Sequence, residues 1–197
     1  ATVFFGAIIY GRVIETEQLT LEAEQNGDGA RFAAILVFAF IVRVVCSLVF
    51  YGHPTDINCF MAWGYHLNEG GLAAFYNSGM FADYPPGYML VLAAVTWLLD
   101  LFRIPSGSAA AVFAYMLPAY AADVGIAILL MRFARKRGFS ESACLYLGGL
   151  AVFNPAAVIL SGAWGQIDSI LTLLLLLSFS ELFEGRRISA GAVSYTH

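Results

Sequence analysis

Charge is what this sequence has little of. Lys, Arg, Asp and Glu make up 12% of its 197 residues, about half the usual share in a soluble domain, while 60% are hydrophobic and mean hydropathy is +0.75. A chain of that composition cannot cover itself with polar side chains, which excludes a soluble globular domain and predicts an integral membrane protein. The ten Lys and Arg fall in short clusters between apolar runs and form no stripe, so no nucleic-acid partner is expected. Cysteine is sparser still. Cys46, Cys59 and Cys144 cannot build a disulfide framework, and only Cys59 lies outside an apolar run. The chain also lacks a phosphate-cradling glycine loop, an HExxH and a GxSxG with partners, which leaves soluble nucleotide-sugar chemistry without a home. There is no internal repeat and no low-complexity tract.

What is present comes as apolar runs, and a bilayer-crossing helix needs about 20 such residues. Residues 32–51 form the first, 109–131 and 142–161 the next two, and 170–183 a shorter fourth. Residues 1–31 start inside an apolar segment, without a methionine, and end in an acidic stretch with NGDG. They read as a partial upstream segment followed by a linker, so that the chain is expected to be a piece of a longer one. Residues 188–197, closing in AVSYTH, read as a non-native tail. The expected fold class is all-α: a multi-span helical bundle over residues 32–187 with a large first loop. Arg43 and Asp123, inside the first and second spans, are expected to face the bundle interior, with each other as the obvious ion-pair partners.

Residues 52–88 break the hydrocarbon with two of the three histidines and with Asp56 and Asp83, each beside a proline-marked turn. Ile57, Phe60, Met61, Gly64 and Leu67 recur at i, i+3, i+4 spacing behind a Thr55 or Asp56 cap. That pattern predicts a short amphipathic helix at the membrane interface, carrying Trp63 and Tyr65 and ended by Gly70-Gly71. The uncharged run 88–99, opened by Pro85-Pro86, has the length of a re-entrant or interfacial piece, and residues 84–102 are read as one. Charge gives the same answer. Arg132, Arg135, Lys136 and Arg137 are separated from Arg186-Arg187 by two spans, and with a first span that ends outside the positive-inside rule makes both groups cytoplasmic only if residues 88–99 do not cross. The loop 52–108 and the turn 161–168 then share the extracytoplasmic face, where His53, Asp56, His66, Asp83, Arg103, Gln166 and Asp168 can converge.

Each acid has a structural and a chemical reading. Asp56 is either an N-cap carboxylate or a general base at the membrane surface, where partial desolvation raises a carboxylate's proton affinity. Asp83, in Asp83-Tyr84-Pro85-Pro86, suits a cap with proline in the first helical turn. Asp168, in WGQIDS, can cap a helix from about residue 170, with Trp164 and Gln166 at the outer interface. His53, Asp56, Cys59 and His66 fit no standard zinc spacing, so no metal site is assigned.

The order of parts carries further information: span, loop with an early Asp, Trp63 and Tyr76, DYPPGY, span with an internal Asp, basic turn, FNPAAVIL, WGQIDS, span. Over residues 32–184 it resembles the amino-terminal half of the GT-C glycosyltransferases, polytopic enzymes that use polyprenyl-phosphate sugars. It is most similar to bacterial relatives of the GPI-anchor mannosyltransferases. The resemblance implies a GT-C-like bundle in a bacterial plasma membrane whose extracytoplasmic first loop carries amphipathic and re-entrant helices. It also implies inverting transfer of a hexose, mannose first among them, from a polyprenyl-phosphate donor to a glycan, lipid or protein acceptor. Asp56 would be the catalytic base. His53, Trp63, His66, Asp83, Tyr84, Arg103, Gln166 and Asp168 would bind substrate, with only Arg103, His53 and His66 to meet a phosphate, which leaves room for a divalent metal. A transporter or flippase, or a noncatalytic scaffold, is the competing class: intramembrane Arg43 and Asp123 would suit a transporter, and the missing repeat argues against it.

Overall fold

The computed structural model describes residues 28–77, 79–84, 86–185 and 191. The expected upstream segment before residue 28, Arg186-Arg187 and most of the expected tail lie outside them. The described residues are helical, with no strand among them. In order they form α1 (Asp28–Phe50), α2 (Pro54–Asn77), α3 (Pro86–Leu101), α4 (Ala109–Lys136), α5 (Glu141–Val152), the single turn α6 (Pro155–Ala157) running into a π-helix (Val158–Trp164), and α7 (Asp168–Phe183). Three helical stretches are long and apolar enough to cross a membrane: Gly29–Phe50, Ala109–Lys136 and Glu141–Trp164. The last two extend the runs legible in the sequence. Glu141–Trp164 is not one regular helix, because Asn154-Pro155 interrupts the backbone ladder after α5. Helix α7 has 16 residues, a rise of about 24 Å at 1.5 Å per residue, short of the roughly 30 Å hydrocarbon core.

Two compact units divide these residues. The first takes in the described residues up to Ile41, Asp123–Asn154, and those from Leu171 onward; the second is Val42–Ala122 with Pro155–Ile170. The first unit packs through small residues, as membrane helices do when their backbones come close. Ala39, Ala127 and Val152 form one buried centre, flanked by Ile35, Leu36 and Phe153; Met131, Ala134 and Cys144 form another beside Phe32. The tight α4–α5 connection is held at its mouth by Arg135, which grips Glu141 with two hydrogen bonds. Ser140 caps α5 by accepting from the Ala143 N–H. Asp123 is buried in this unit.

In the second unit α2 and α3 pack along each other. Ile57, Phe60, Met61, Gly64 and Leu67, the residues whose spacing predicts an amphipathic helix, are all buried, as are Tyr88, Met89, Leu92, Thr96 and Leu99 of α3; Phe60 packs edge-on against Tyr88, and Gly64 lies against Leu92 and Thr96. The first helical segment ends at Gly70-Gly71, as the sequence predicts. Gly71 takes a positive φ of 71° that bends the chain, and helix resumes as far as Asn77. Asn68 bridges to α3, donating to the Ala93 carbonyl and accepting from the Trp97 N–H in the amide orientation that satisfies both. Arg43 is 1% exposed, and its Nε donates to Ser161 Oγ at 3.2 Å, so this intramembrane cation faces inward rather than snorkelling.

Candidate active site

The second unit gathers most of the chemistry-bearing residues where α1 ends and the π-helix ends. The chain leaves α1 through two consecutive left-handed residues, Tyr51 (φ 59°) and Gly52 (φ 72°). A side chain at Gly52 would come within 2.7 Å of Ile57 Cγ1 and 3.3 Å of the Trp164 carbonyl, so glycine is required there for both space and backbone angle. The next N–H, that of His53, donates to the Trp164 carbonyl at 2.6 Å. The ends of α1 and of the π-helix are thereby tied side by side. Beyond Trp164, left-handed Gly165 (φ 87°) turns the backbone, and the N–H groups of Gly165 and Gln166 both return to the Leu160 carbonyl.

Side chains complete the junction. The His53 ring stacks on the Trp164 indole, with centroids 4.8 Å apart and planes 14° from parallel. Trp164 Nε1 donates to Asp56 Oδ2 at 2.7 Å. The other carboxylate oxygen, Oδ1, lies 3.9 Å from His53 Nδ1, a buried nitrogen that makes no hydrogen bond. Asp56 sits in the first turn of α2, two residues after Pro54, and the N–H of Ile57 goes to the His53 carbonyl. Its carboxylate therefore serves the indole rather than capping the helix, which corrects the N-cap reading. The side chain stays 28% exposed and open to a partner.

Tyr84 ties the remaining acids to this point. Burial first, then the carboxylates of Asp83, Asp56 and Asp168, then the Cys59 thiol, push its phenol above the ordinary range. Burial, then Asp56 and then Asp83, likewise push the Cys59 thiol up. One phenol thus feels three carboxylates from three separate stretches of chain. Below it, Tyr84 packs edge-on against Phe60 (5.8 Å) and Trp63 (5.6 Å), and Trp63 Nε1 is anchored on the Phe81 carbonyl at 2.8 Å. Trp63 is buried in this cluster, a wall of the site and not a free platform.

Two expected members stand elsewhere. Arg103 follows the end of α3, whose 16 residues rise about 24 Å from the Tyr84 end, so that helix separates it from Asp56. His66 lies ten residues along α2 from Asp56, with its ring 5.8 Å from Phe75 and its Nε2 buried without a hydrogen bond. Gln166 is half-buried in the turn after Trp164. Among the described residues, no three His, Cys, Asp or Glu converge as ligands for a metal ion, so the donor set does not fit a preformed metal centre. Trp164 is the residue that sequence reasoning passed over as an interface tryptophan; its place in a glycine turn at the end of a span was the available signal. No protein family, curated protein or solved structure matches the chain.

Proposed function

We propose that this chain carries the acceptor-activating site of an inverting membrane glycosyltransferase, with Asp56 as the base. The observation that carries this reading is the Asp56 carboxylate itself. One oxygen is fixed by the Trp164 indole and the other lies 3.9 Å from His53 Nδ1, while the Tyr84 phenol is raised by burial and by the charges of Asp83, Asp56 and Asp168. In the reaction, Asp56 takes the proton from an acceptor hydroxyl as that oxygen attacks the anomeric carbon of a hexose, mannose by resemblance. The bond from that carbon to the phosphate oxygen breaks, and the polyprenyl phosphate leaves with the electron pair. Asp83, Asp168 and Gln166 orient sugar hydroxyls.

Helix order supports a single-face site. Cys46 and Arg43 pack against Gly162, and His53 against Trp164, so α1 and the π-helix run in the same direction and end together. Two crossings, by α4 and then Glu141–Trp164, bring the chain back to the face that residue 51 reaches, so residue 109 starts from that same face and α3 has no net crossing to make. Arg135, Lys136 and Arg137, at the opposite end of α4, argue that this face is extracytoplasmic. The test is Asp56→Asn in membranes containing the protein, supplied with a labelled polyprenyl-phosphate hexose and scored for transfer. Loss of transfer with unchanged membrane insertion is expected, and undiminished transfer would remove Asp56 from the chemistry. Labelling of Cys59 by an impermeant maleimide on intact cells is expected as well. Labelling only after permeabilisation would overturn both the topology and the donor class.

A further inference from the structure

At the basic end of α4 three consecutive cations meet different surroundings. Arg135 is paired with Glu141 at 2.6 Å, and Lys136 with Glu184 at 2.9 Å. Arg137 is exposed, and among the described residues no carboxylate pairs with it. Its guanidinium carbon stands instead 4.6 Å from the centre of the Phe133 ring and 5.9 Å from that of Phe183. Those rings are 6.1 Å apart, and both line an apolar cavity of about 260 Å³ whose other walls include Leu129, Leu176 and Phe179. Phe179 and Phe183 are largely exposed, so the cavity is a slot open at the helix surface.

We infer that this slot binds one anionic phospholipid from the leaflet on the basic side, with an acyl chain in the cavity and the headgroup phosphate on Arg137. Hydrocarbon alone would accept any lipid chain. The charge decides the class: local carboxylates neutralise Arg135 and Lys136, and Arg137 is left as a positive centre on the cavity's own aromatic wall. The site is independent of Asp56 and of the glycosyltransferase reading. To test it, the protein is placed in nanodiscs of equal phosphatidylcholine and phosphatidylglycerol, and the lipids that stay bound are identified by native mass spectrometry. One retained phosphatidylglycerol is expected. Arg137→Gln should lower the preference over phosphatidylcholine about fivefold, the worth of one arginine near an anionic surface, and Arg137→Lys should keep most of it. Leu176→Trp fills the slot while leaving the charge, and it should reduce retention of both lipids; this variant carries the test if Arg137→Gln does not fold. Equal retention of the two lipids by the unaltered protein, an Arg137→Gln preference equal to the original, or a dimer that covers the slot and retains no lipid would each overturn the inference.

Discussion

Gly64→Ala tests the packing beneath the site, because two effects of opposite sign meet there. An alanine in a helix interior is favoured over glycine by about 0.5–1 kcal/mol. Against that, a Cβ at position 64 would fall on Thr96 Oγ1, with the Leu92 carbonyl at 3.1 Å and the Tyr115 hydroxyl at 3.2 Å. Thr96 cannot simply rotate away. Its hydroxyl bonds the Leu92 carbonyl at 2.9 Å and the Tyr115 hydroxyl at 2.6 Å, both buried, so turning it leaves buried polar groups unpaired at about 1–3 kcal/mol. Holding it in place overpacks the contact at a similar cost, about 1–3 kcal/mol. Either route outweighs the helix gain, and two fixed oxygens still crowd the methyl after Thr96 moves. The net expectation is a loss of roughly 1–3 kcal/mol, or a fall of roughly 2–10 °C in Tm for a chain of this size. Thermal unfolding in detergent, followed by tryptophan fluorescence, reads it. Gly149→Ala is the control, since a Cβ there meets nothing within 4 Å, and it should be neutral or slightly stabilising. Thr96→Ala in the Gly64→Ala background should recover part of the loss. A Gly64→Ala protein as stable as the original would mean that α2 and α3 do not approach as described.

Two further outcomes bear on the site. Trp164→Phe keeps an aromatic ring beside His53 and removes the N–H that holds Asp56, so transfer should fall about tenfold, the low end for a hydrogen bond to a partly exposed charged group. In an Asp56→Asn background the same change should have no further effect, because Trp164 acts through the carboxylate; an undiminished second loss would give the indole a separate role. Cys59, whose thiol is pushed up by burial, Asp56 and Asp83, should react slowly with maleimide at neutral pH and faster as pH rises. Removing a neighbouring negative charge favours the thiolate, so Asp83→Asn should speed labelling at fixed pH, and an unchanged rate would separate Asp83 from this point.

Local pattern was legible, and long-range geometry was not. The burial of Ile57, Phe60, Met61, Gly64 and Leu67 follows from their spacing alone, because an amphipathic helix has one apolar face wherever it docks. The inward placement of Arg43 follows from the cost of exposing it to hydrocarbon. By contrast, the bond from Trp164 to Asp56 joins residues 108 positions apart, and no periodicity reports it. Arg103 shows the opposite failure. It shares a loop with Asp56 in the sequence, yet a helix within that loop carries it to the other end, so membership of one connection did not imply convergence.

The orientation of Asp56 rests on a backbone irregularity at the end of a span. Ser161 spends its hydroxyl inside the π-helix, donating to the Ala157 carbonyl at 2.8 Å while accepting from Arg43. Gly162 presents no side chain, and α1 lies so close that a Cβ would meet Cys46 Cβ at 3.3 Å and Arg43 Cγ at 3.4 Å. These contacts fix the π-helix against α1 one turn before Trp164. A π-bulge holds one residue more than the α-helical turn it replaces, and one residue corresponds to about 100° of rotation about the axis. Were Val158–Trp164 regular α-helix, the indole would swing away by about that angle and its N–H could not reach Oδ2. The buried arginine of the first span and the acid beyond its end therefore belong to one arrangement: the cation helps hold the irregular turn, and that turn aims the tryptophan that holds the carboxylate.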